Sequence, residues 1–352
     1  MNSIIFNCAF YLLLFISCDT VDKSSSIKYN ASQIGEEQEN DFSGRVIPGA
    51  ERLDQYLPYL ENKNIALVVN QTSLIKDKHL VDVLIGRSLN IKKIFSPEHG
   101  FRGNADAGEQ IKDGKDKNTG LPILSLYGKN KKPSSKALKD IDVIVFDIQD
   151  VGVRFYTYIS TLHYVMEAAA ENNIQIIVLD RPNPNGHYID GPVLEEEFKS
   201  FVGMHPVPVV YGMTIGEYAQ MINGEKWLAN DLSANLKVVS ISNYTHKTNY
   251  ILPVRPSPNL PNTMAIRHYP SLCFFEGTTI SVGRGTDAPF QMYGHPDLNS
   301  QSFTFRPEPT QGAMHPKHKN SLCYGMDLRK KPPLRMQLDL DHLILAYDEC
   351  LK

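Results

Sequence analysis

Apolar and polar positions in this chain follow two different periods, and their alternation predicts strands and helices in turn. Residues 76–89 and 157–172 place apolar side chains at helical spacing. Continuous apolar runs of strand length occupy residues 64–70, 91–95, 121–126, 141–147 and 174–180. Such runs are typical of parallel strands that are covered on both faces. Strands that alternate with helices predict a Rossmann-like parallel sheet with right-handed crossovers.

The second half of the chain has a weaker pattern. Residues 214–223 are a predicted helix, because Thr214 and Glu217 have the spacing of a capping box. Residues 236–241 are a predicted strand. No period is recognisable in the Pro- and Gly-rich stretch after Pro253. These features indicate a second, smaller α+β domain.

The fold class predicted from these patterns is α/β, with a Rossmann-like domain followed by the smaller domain. The helical pattern that begins at residue 343 stops abruptly, which is compatible with a second domain truncated at its C-terminus. The chain is therefore divided into a signal peptide at residues 1–18, a flexible tether at 19–44, a Rossmann-like catalytic domain at 45–205 and a second domain at 206–352.

The leader carries the features of an exported protein. An apolar run at residues 9–16 is followed at once by Ser17 and Cys18. A small residue and then a cysteine after such a run resemble a bacterial lipoprotein processing site, which would make Cys18 the lipidated first residue. Residues 19–42 are too polar to bury apolar area and are a predicted tether. We expect a periplasmic or membrane-anchored lipoprotein of the bacterial cell envelope. A plain secretory signal is the alternative.

Composition excludes several classes of function. The chain has 352 residues and a net charge of −3, so nothing in its charge indicates nucleic acid as a partner. No G-x-G-x-x-G follows the first predicted strand and no Walker sequence occurs, so no nucleotide cofactor is expected. Cysteine spacing contains no C-x-x-C and indicates neither a zinc site nor a redox pair.

Polar residues concentrate in loops that follow the predicted strands, where open α/β sheets bind ligands. Each residue alone has a simpler structural explanation; Arg154, for example, could pair with Asp150 four positions away. Several such loops at one sheet edge favour a functional site. The candidates are Glu98, His99, Arg102, Asp147, Gln149, Asp150, Arg154, Tyr156, Asn259, Arg284 and Asp287.

These residue types suit chemistry on a glycosidic or a phosphoester bond. Glycosidases typically place two carboxyl groups on either side of that bond, one of them protonated. Glu98 is the candidate acid, and Asp147 and Asp150 are the candidates for the second carboxylate. The arginines suggest an anionic substrate, since guanidinium binds carboxylate through two hydrogen bonds. A metal site is less favoured, because Glu98 and His99 are adjacent and no H-x-x-x-H pair exists.

The loop sequences are similar to those of a known family. Residues 96–103, 147–158, 180–184, 255–261 and 276–287 resemble the NamZ-type exo-β-N-acetylmuramidases, and the resemblance extends from about Asn64 to about Gly294. It implies a Rossmann-like domain with a smaller second domain and no nucleotide. It also implies an exo-acting hydrolase that removes terminal β-linked N-acetylmuramic acid from the non-reducing end of peptidoglycan fragments.

The resemblance assigns one catalytic residue, because Glu98 matches the glutamate proposed as catalytic in that family. The other candidates are inferred from the residues alone. Asp147 or Asp150 would act as base, or would orient the 2-acetamido group of the sugar. His99, Arg102, Gln149, Arg154, Tyr156, Asn259, Arg284 and Asp287 would bind substrate. Two alternatives stay open: a non-catalytic binder of cell-wall sugars, and a metal-dependent hydrolase that uses Asp147, Asp150 and His99.

Overall fold

The computed structural model describes residues 44–98, 100–101, 113–333 and 337–350, and the side chain of Cys350 is not among them. Within these ranges, no helix combines the length and the apolar character that crossing a bilayer requires. The leader and the tether, and with them Cys18, lie outside the described residues.

Twelve strands are found in these ranges. They are β1 (Ile65–Val69), β2 (Leu74–Ile75), β3 (Lys78–His79), β4 (Ile91–Ser96), β5 (Gly114–Lys115), β6 (Pro122–Ser125), β7 (Val143–Asp147), β8 (Gln175–Leu179), β9 (Leu236–Val239), β10 (Met292–His295), β11 (Phe303–Phe305) and β12 (Cys323–Asp327).

The helices confirm the alternation that the sequence predicts. They are α1 (Leu80–Ile85), α2 (Ser135–Leu138), α3 (Tyr158–Glu171), α4 (Ile215–Gly224), α5 (Thr263–Leu272) and α6 (Asp341–Cys350). Short 3₁₀ turns lie at Gly49–Glu51, Leu53–Gln55, Leu57–Tyr59, Glu196–Phe198, Ala229–Asp231 and Cys273–Gly277. The predicted capping box is present at α4, where the Thr214 hydroxyl accepts from the Glu217 N–H and the Glu217 carboxylate accepts from the Thr214 N–H.

The main sheet has seven strands in the order β5-β6-β4-β1-β7-β8-β9. All of its pairings are parallel except that of β5 with β6, so the prediction of a parallel sheet is confirmed. All five residues of β1 and of β7 are buried, as their continuous apolar sequence requires. Ala66 and Val68 of β1 pack into the cluster that contains α3 and α4. Ile65 and its alternate neighbours pack against α1 on the other face.

A smaller antiparallel sheet, β10-β12-β11, follows in the C-terminal part of the chain. It accounts for the stretch in which no period was recognisable, because its strands are short and contain glycine. Gly294 of β10 pairs with Gly325 of β12. A Cβ atom at Gly325 would lie 1.9 Å from the carbonyl oxygen of Tyr293, so the two strands approach closely only because this residue is glycine.

The predicted domain boundary near residue 205 stays a prediction. The main sheet continues beyond it, since β9 pairs with β8 and ends at Val239. Because β4, β7 and β8 all run parallel to β1, their carboxyl ends lie along one edge of this sheet. The loops that leave that edge carry most of the candidate site residues.

Candidate active site

A cavity of about 480 Å³ lies where the loops after β4 and β7 meet the C-terminal part of the chain. Aromatic rings and a few polar groups line it, which is the usual composition of a small-molecule site. The lining residues are Glu98, Tyr127, Phe155, Tyr156, Thr157, Phe201, Val202, Ser257, Asn259, Leu260, Tyr269, Cys273, Phe274, Glu276, Arg284 and Phe290.

Glu98 is half-buried in the cavity wall, two residues beyond the end of β4. Its Oε2 atom accepts a hydrogen bond of 3.0 Å from the hydroxyl of Thr157, the residue before α3. The hydroxyl of Tyr158 is 3.5 Å from the backbone carbonyl of Glu98 and accepts a bond of 3.0 Å from the amide of Asn70, just after β1. Residues that follow β1 and β7 therefore hold Glu98, which itself follows the neighbouring strand β4.

Tyr156 and Asn259 also line the cavity, but their polar groups are occupied by the protein. The Tyr156 hydroxyl donates to the carbonyl of Pro256 at 2.8 Å, and the Asn259 amide donates to the carbonyl of Gly312 at 2.8 Å. Burial raises the pKa of Tyr156 well above its ordinary value, so this phenol stays neutral. Tyr156 presents ring surface to the cavity.

Arg284 is the guanidinium of the cavity wall, and two neighbours hold it in place. Its Nε and Nη2 atoms donate to the two carboxylate oxygens of Glu276 at 3.2 and 2.9 Å. Its guanidinium carbon lies 5.1 Å from the centre of the Phe290 ring. These contacts use the Nε edge of the group. No acceptor for Nη1 is found in the part of the chain that the structure describes, so the Nη1–Nη2 edge retains donors for a ligand.

Asp147 lies outside the cavity lining and is fully buried, at 0% exposure. Its Oδ1 and Oδ2 atoms accept from Nε and Nη2 of Arg181 at 2.5 and 2.8 Å. Arg181 Nη2 also donates to the carbonyl of Leu74 at 3.1 Å. A bidentate, buried ion pair of this kind joins the ends of β7 and β8 and holds the β2–β3 hairpin against them.

Asp150 also lies outside the cavity lining. Its Oδ2 atom accepts from the N–H of Gly152 at 2.7 Å and from the hydroxyl of Tyr211. Burial raises the pKa of Asp150 to about 6, although the hydrogen bonds from Tyr211 and Gly152 act in the opposite direction. Its Oδ1 atom has no hydrogen-bond partner among the described residues. Asp150 is therefore a buried carboxyl group whose protonated form is accessible near neutral pH.

The side chains of Gln149 and Arg154 hold the same loops together through hydrogen bonds to backbone carbonyls. The Gln149 amide donates to the carbonyls of Asp150 and Pro182 at 2.7 Å each. Nη1 of Arg154 donates to the carbonyls of Pro192, at 2.8 Å, and Val207. Arg154 forms no ion pair with Asp150, and burial lowers the pKa of its guanidinium. Neither side chain lines the cavity.

The remaining candidates, Asp287, His99 and Arg102, are not among the described residues that line this cavity. Asp287 is exposed and lies in a separate, open groove with Arg306 and Arg329. His99 and Arg102 lie outside the described residues. Of the candidates, the structure therefore gathers Glu98, Tyr156, Asn259 and Arg284 around one cavity.

Twelve of the lining residues are not among the sequence candidates, and two of these, Thr157 and Glu276, make contacts that bear on the site. Thr157 lies at the start of a predicted helix, and its hydroxyl is the donor to Glu98. Glu276 falls within one of the family-like motifs, beside Gly277, but a single glutamate in a Gly-rich loop has no spacing that marks it as a site residue. Its contact with Arg284, eight residues later, is visible only in the folded chain.

The protein has a parallel α/β sheet with an aromatic cavity near its strand ends, and carboxyl groups and an arginine line that cavity. These features are typical of a class of small-molecule enzymes that includes glycoside hydrolases. Within that class, the chain belongs to the NamZ family. The profile "Exo-beta-N-acetylmuramidase NamZ, N-terminal" matches residues 65–264, and the corresponding C-terminal profile matches residues 267–349.

Individual relatives agree with this assignment. The peptidoglycan beta-N-acetylmuramidase NamZ of Bacillus subtilis is 42% identical over 301 residues, which cover 78% of this chain and 70% of that protein. A crystal structure of a DUF1343 family protein from Bacteroides fragilis has a TM-score of 0.80 and 47% identity, with 87% of this chain and 84% of that chain covered. A second DUF1343 structure from the same organism has a TM-score of 0.75 and 33% identity, with coverages of 87% and 82%.

The buried ion pair leads to a stability prediction. We expect Asp147→Asn to lower the free energy of unfolding by about 3–5 kcal/mol, because Arg181 would stay buried without its counter-charge. The matched control is Arg329→Gln, which breaks an exposed pair with Asp327 and should cost less than about 1 kcal/mol. Urea denaturation measures both. If the two substitutions cost the same, the Asp147–Arg181 pair does not hold the sheet edge.

Proposed function

We propose that this protein is an exo-acting glycoside hydrolase that releases terminal β-linked N-acetylmuramic acid from the non-reducing end of peptidoglycan fragments. The observation that carries the proposal is the match of both NamZ profiles over residues 65–349, together with a cavity that contains Glu98. The 42% identity to a peptidoglycan beta-N-acetylmuramidase supports the same substrate class. The cavity is large enough for a sugar ring, and its aromatic walls suit the apolar faces of that ring.

Glu98 is the proposed general acid. Cleavage of a glycosidic bond leaves negative charge on the departing oxygen, and a carboxylic acid close to that oxygen relieves the charge by giving up its proton. The hydrogen bond from Thr157 restricts the orientation of the Glu98 carboxyl group, and the contact with Tyr158 restrains its backbone. Both contacts support a residue that is held ready for proton transfer.

The test of the proposal is Glu98→Gln, which keeps the shape of the side chain but has no proton of suitable acidity. We expect the release of N-acetylmuramic acid from a MurNAc-GlcNAc disaccharide to fall by about 10² to 10⁴-fold, with little change in melting temperature. Glu308→Gln, at an exposed glutamate away from the cavity, is the control. Absence of release by the unmodified protein would refute the proposed activity, whereas normal release by Glu98→Gln would refute the role of Glu98.

Arg284 is the residue that we propose binds the lactyl carboxylate. This group distinguishes N-acetylmuramic acid from N-acetylglucosamine. Its Nη1–Nη2 edge has two parallel donors, which is the geometry that a carboxylate accepts. Glu276 and Phe290 already hold the guanidinium, so its orientation needs little further ordering when a ligand binds. Arg154 has no such edge on the cavity, because its guanidinium donates to backbone carbonyls.

Replacing Arg284 by lysine removes the two-donor edge and keeps the charge. We expect kcat/KM for a chromogenic muramic acid glycoside to fall about 10- to 100-fold, while a matching N-acetylglucosamine glycoside loses much less. Arg154→Lys is the contrasting variant and should lower the melting temperature while affecting both glycosides alike. Equal losses on the two glycosides for Arg284→Lys would contradict the recognition of the lactyl group.

We also propose that the protein is exported to the bacterial cell envelope and anchored there through lipid on Cys18. The leader sequence supports this proposal. Several acyl chains on one cysteine would give firm membrane attachment. Cys18→Ala should therefore move the protein out of the detergent-soluble membrane fraction or leave it unprocessed. An unchanged, soluble distribution of both forms would instead favour a plain secretory signal.

A further inference from the structure

Two carboxylates face the cavity among the residues that the structure describes, and only one of them was anticipated. They are Glu98 and Glu276. The aspartates considered as partners of Glu98 lie elsewhere: Asp147 is paired with Arg181, and Asp150 is bound to Tyr211 and Gly152. A glycosidase that follows the usual scheme needs a second carboxylate at the reacting carbon. The cavity itself offers Glu276 for that position.

The backbone that carries Glu276 is firmly held. Glu276 belongs to the 3₁₀ turn Cys273–Gly277, directly after α5. The preceding residue, Phe275, is buried and its ring stacks on Tyr293 at 5.0 Å. Lys317 Nζ donates to the carbonyls of Phe275 and Glu276 at 2.9 and 3.0 Å. A side chain on a turn restrained in this way can keep a defined position in the cavity wall.

The contact with Arg284 suits Glu276 to act as a base. The guanidinium donates to both carboxylate oxygens and so fixes the plane of the carboxylate in the cavity wall. Each oxygen still has a lone pair that can accept a proton from water.

Glu98 and Glu276 line the same cavity. An inverting glycosidase keeps its two carboxyl groups about 6.5–9.5 Å apart, so that a water molecule fits between the base and the sugar. Glu98 and Glu276 come from separate segments, the loop after β4 and the turn after α5. A sugar bound in the cavity would therefore have one carboxyl group from each part of the fold.

We infer that Glu276 is the catalytic base of the proposed glycosidase and activates the attacking water. In this step Glu276 takes a proton from water while the water oxygen bonds to the anomeric carbon. The glycosidic C–O bond breaks with its electron pair on the leaving oxygen, which takes the proton from Glu98. One water is consumed, and both carboxyl groups later recover their starting states by proton exchange with solvent. The inference rests on the proposed function.

The experiment uses the mature full chain and the MurNAc-GlcNAc disaccharide. We expect Glu276→Gln to lower kcat by about 10² to 10⁴-fold, a larger effect than any rise in KM caused by the weaker hold on Arg284. A residue that only positions Arg284 would instead raise KM for the anionic sugar without a comparable loss of kcat. Glu308→Gln is the matched control.

Two further measurements bear on the same step. Sodium azide added to Glu276→Ala should restore consumption of the substrate and yield the α-glycosyl azide, since azide replaces the attacking water. The first product released by the unmodified protein should be α-N-acetylmuramic acid by NMR. Release of the β-anomer first, or a Glu276→Gln variant that keeps more than about a tenth of kcat, would overturn the inference. If the unmodified protein releases no sugar, the proposed function fails instead.

Discussion

The buried pair of Asp147 with Arg181 is the interaction on which the site edge of the sheet depends. Asp147 is the last residue of β7, and Arg181 follows β8 by two positions. Their charges are almost completely shielded from solvent and are stable only together. The same guanidinium also binds the β2–β3 hairpin, which follows β1, through the carbonyl of Leu74. Three loops thus leave the sheet at fixed positions, and one of them continues into the segment with Tyr156 and Thr157 that lines the cavity.

Two parts of the chain line the cavity: the loops of the main parallel sheet and the C-terminal part. The main sheet contributes Glu98, positioned by residues that follow parallel strands. The C-terminal part contributes Arg284 and Glu276, which fix each other and are supported by Phe290 and Lys317. This pair is partly exposed, with side-chain exposures of 24% for Arg284 and 35% for Glu276, and both residues line the cavity.

The polar residues of the loops separate into two groups only in the folded protein. In sequence, Asp147, Asp150 and Glu98 are all carboxyl groups beside a strand end, and nothing in their spacing ranks them. In the structure, Asp147 and Asp150 face inward and hold loops together, as Gln149 and Arg154 also do. Glu98 reaches the cavity. The difference arises from the direction in which each loop leaves the sheet, which local sequence does not encode.

The sequence by itself determined the parallel α/β architecture, because continuous apolar strands that alternate with helices are typical of a parallel sheet covered by helices on both faces. It also located the edge of the sheet where the site would lie, and its motifs identified Glu98 within a known family. The tertiary structure decided the antiparallel sheet, whose short Gly-containing strands have no recognisable period. It also decided which charged groups hold loops together inside the protein and which, like Glu276 with Arg284, line the cavity. Contacts between distant segments set those roles, and no local pattern records them.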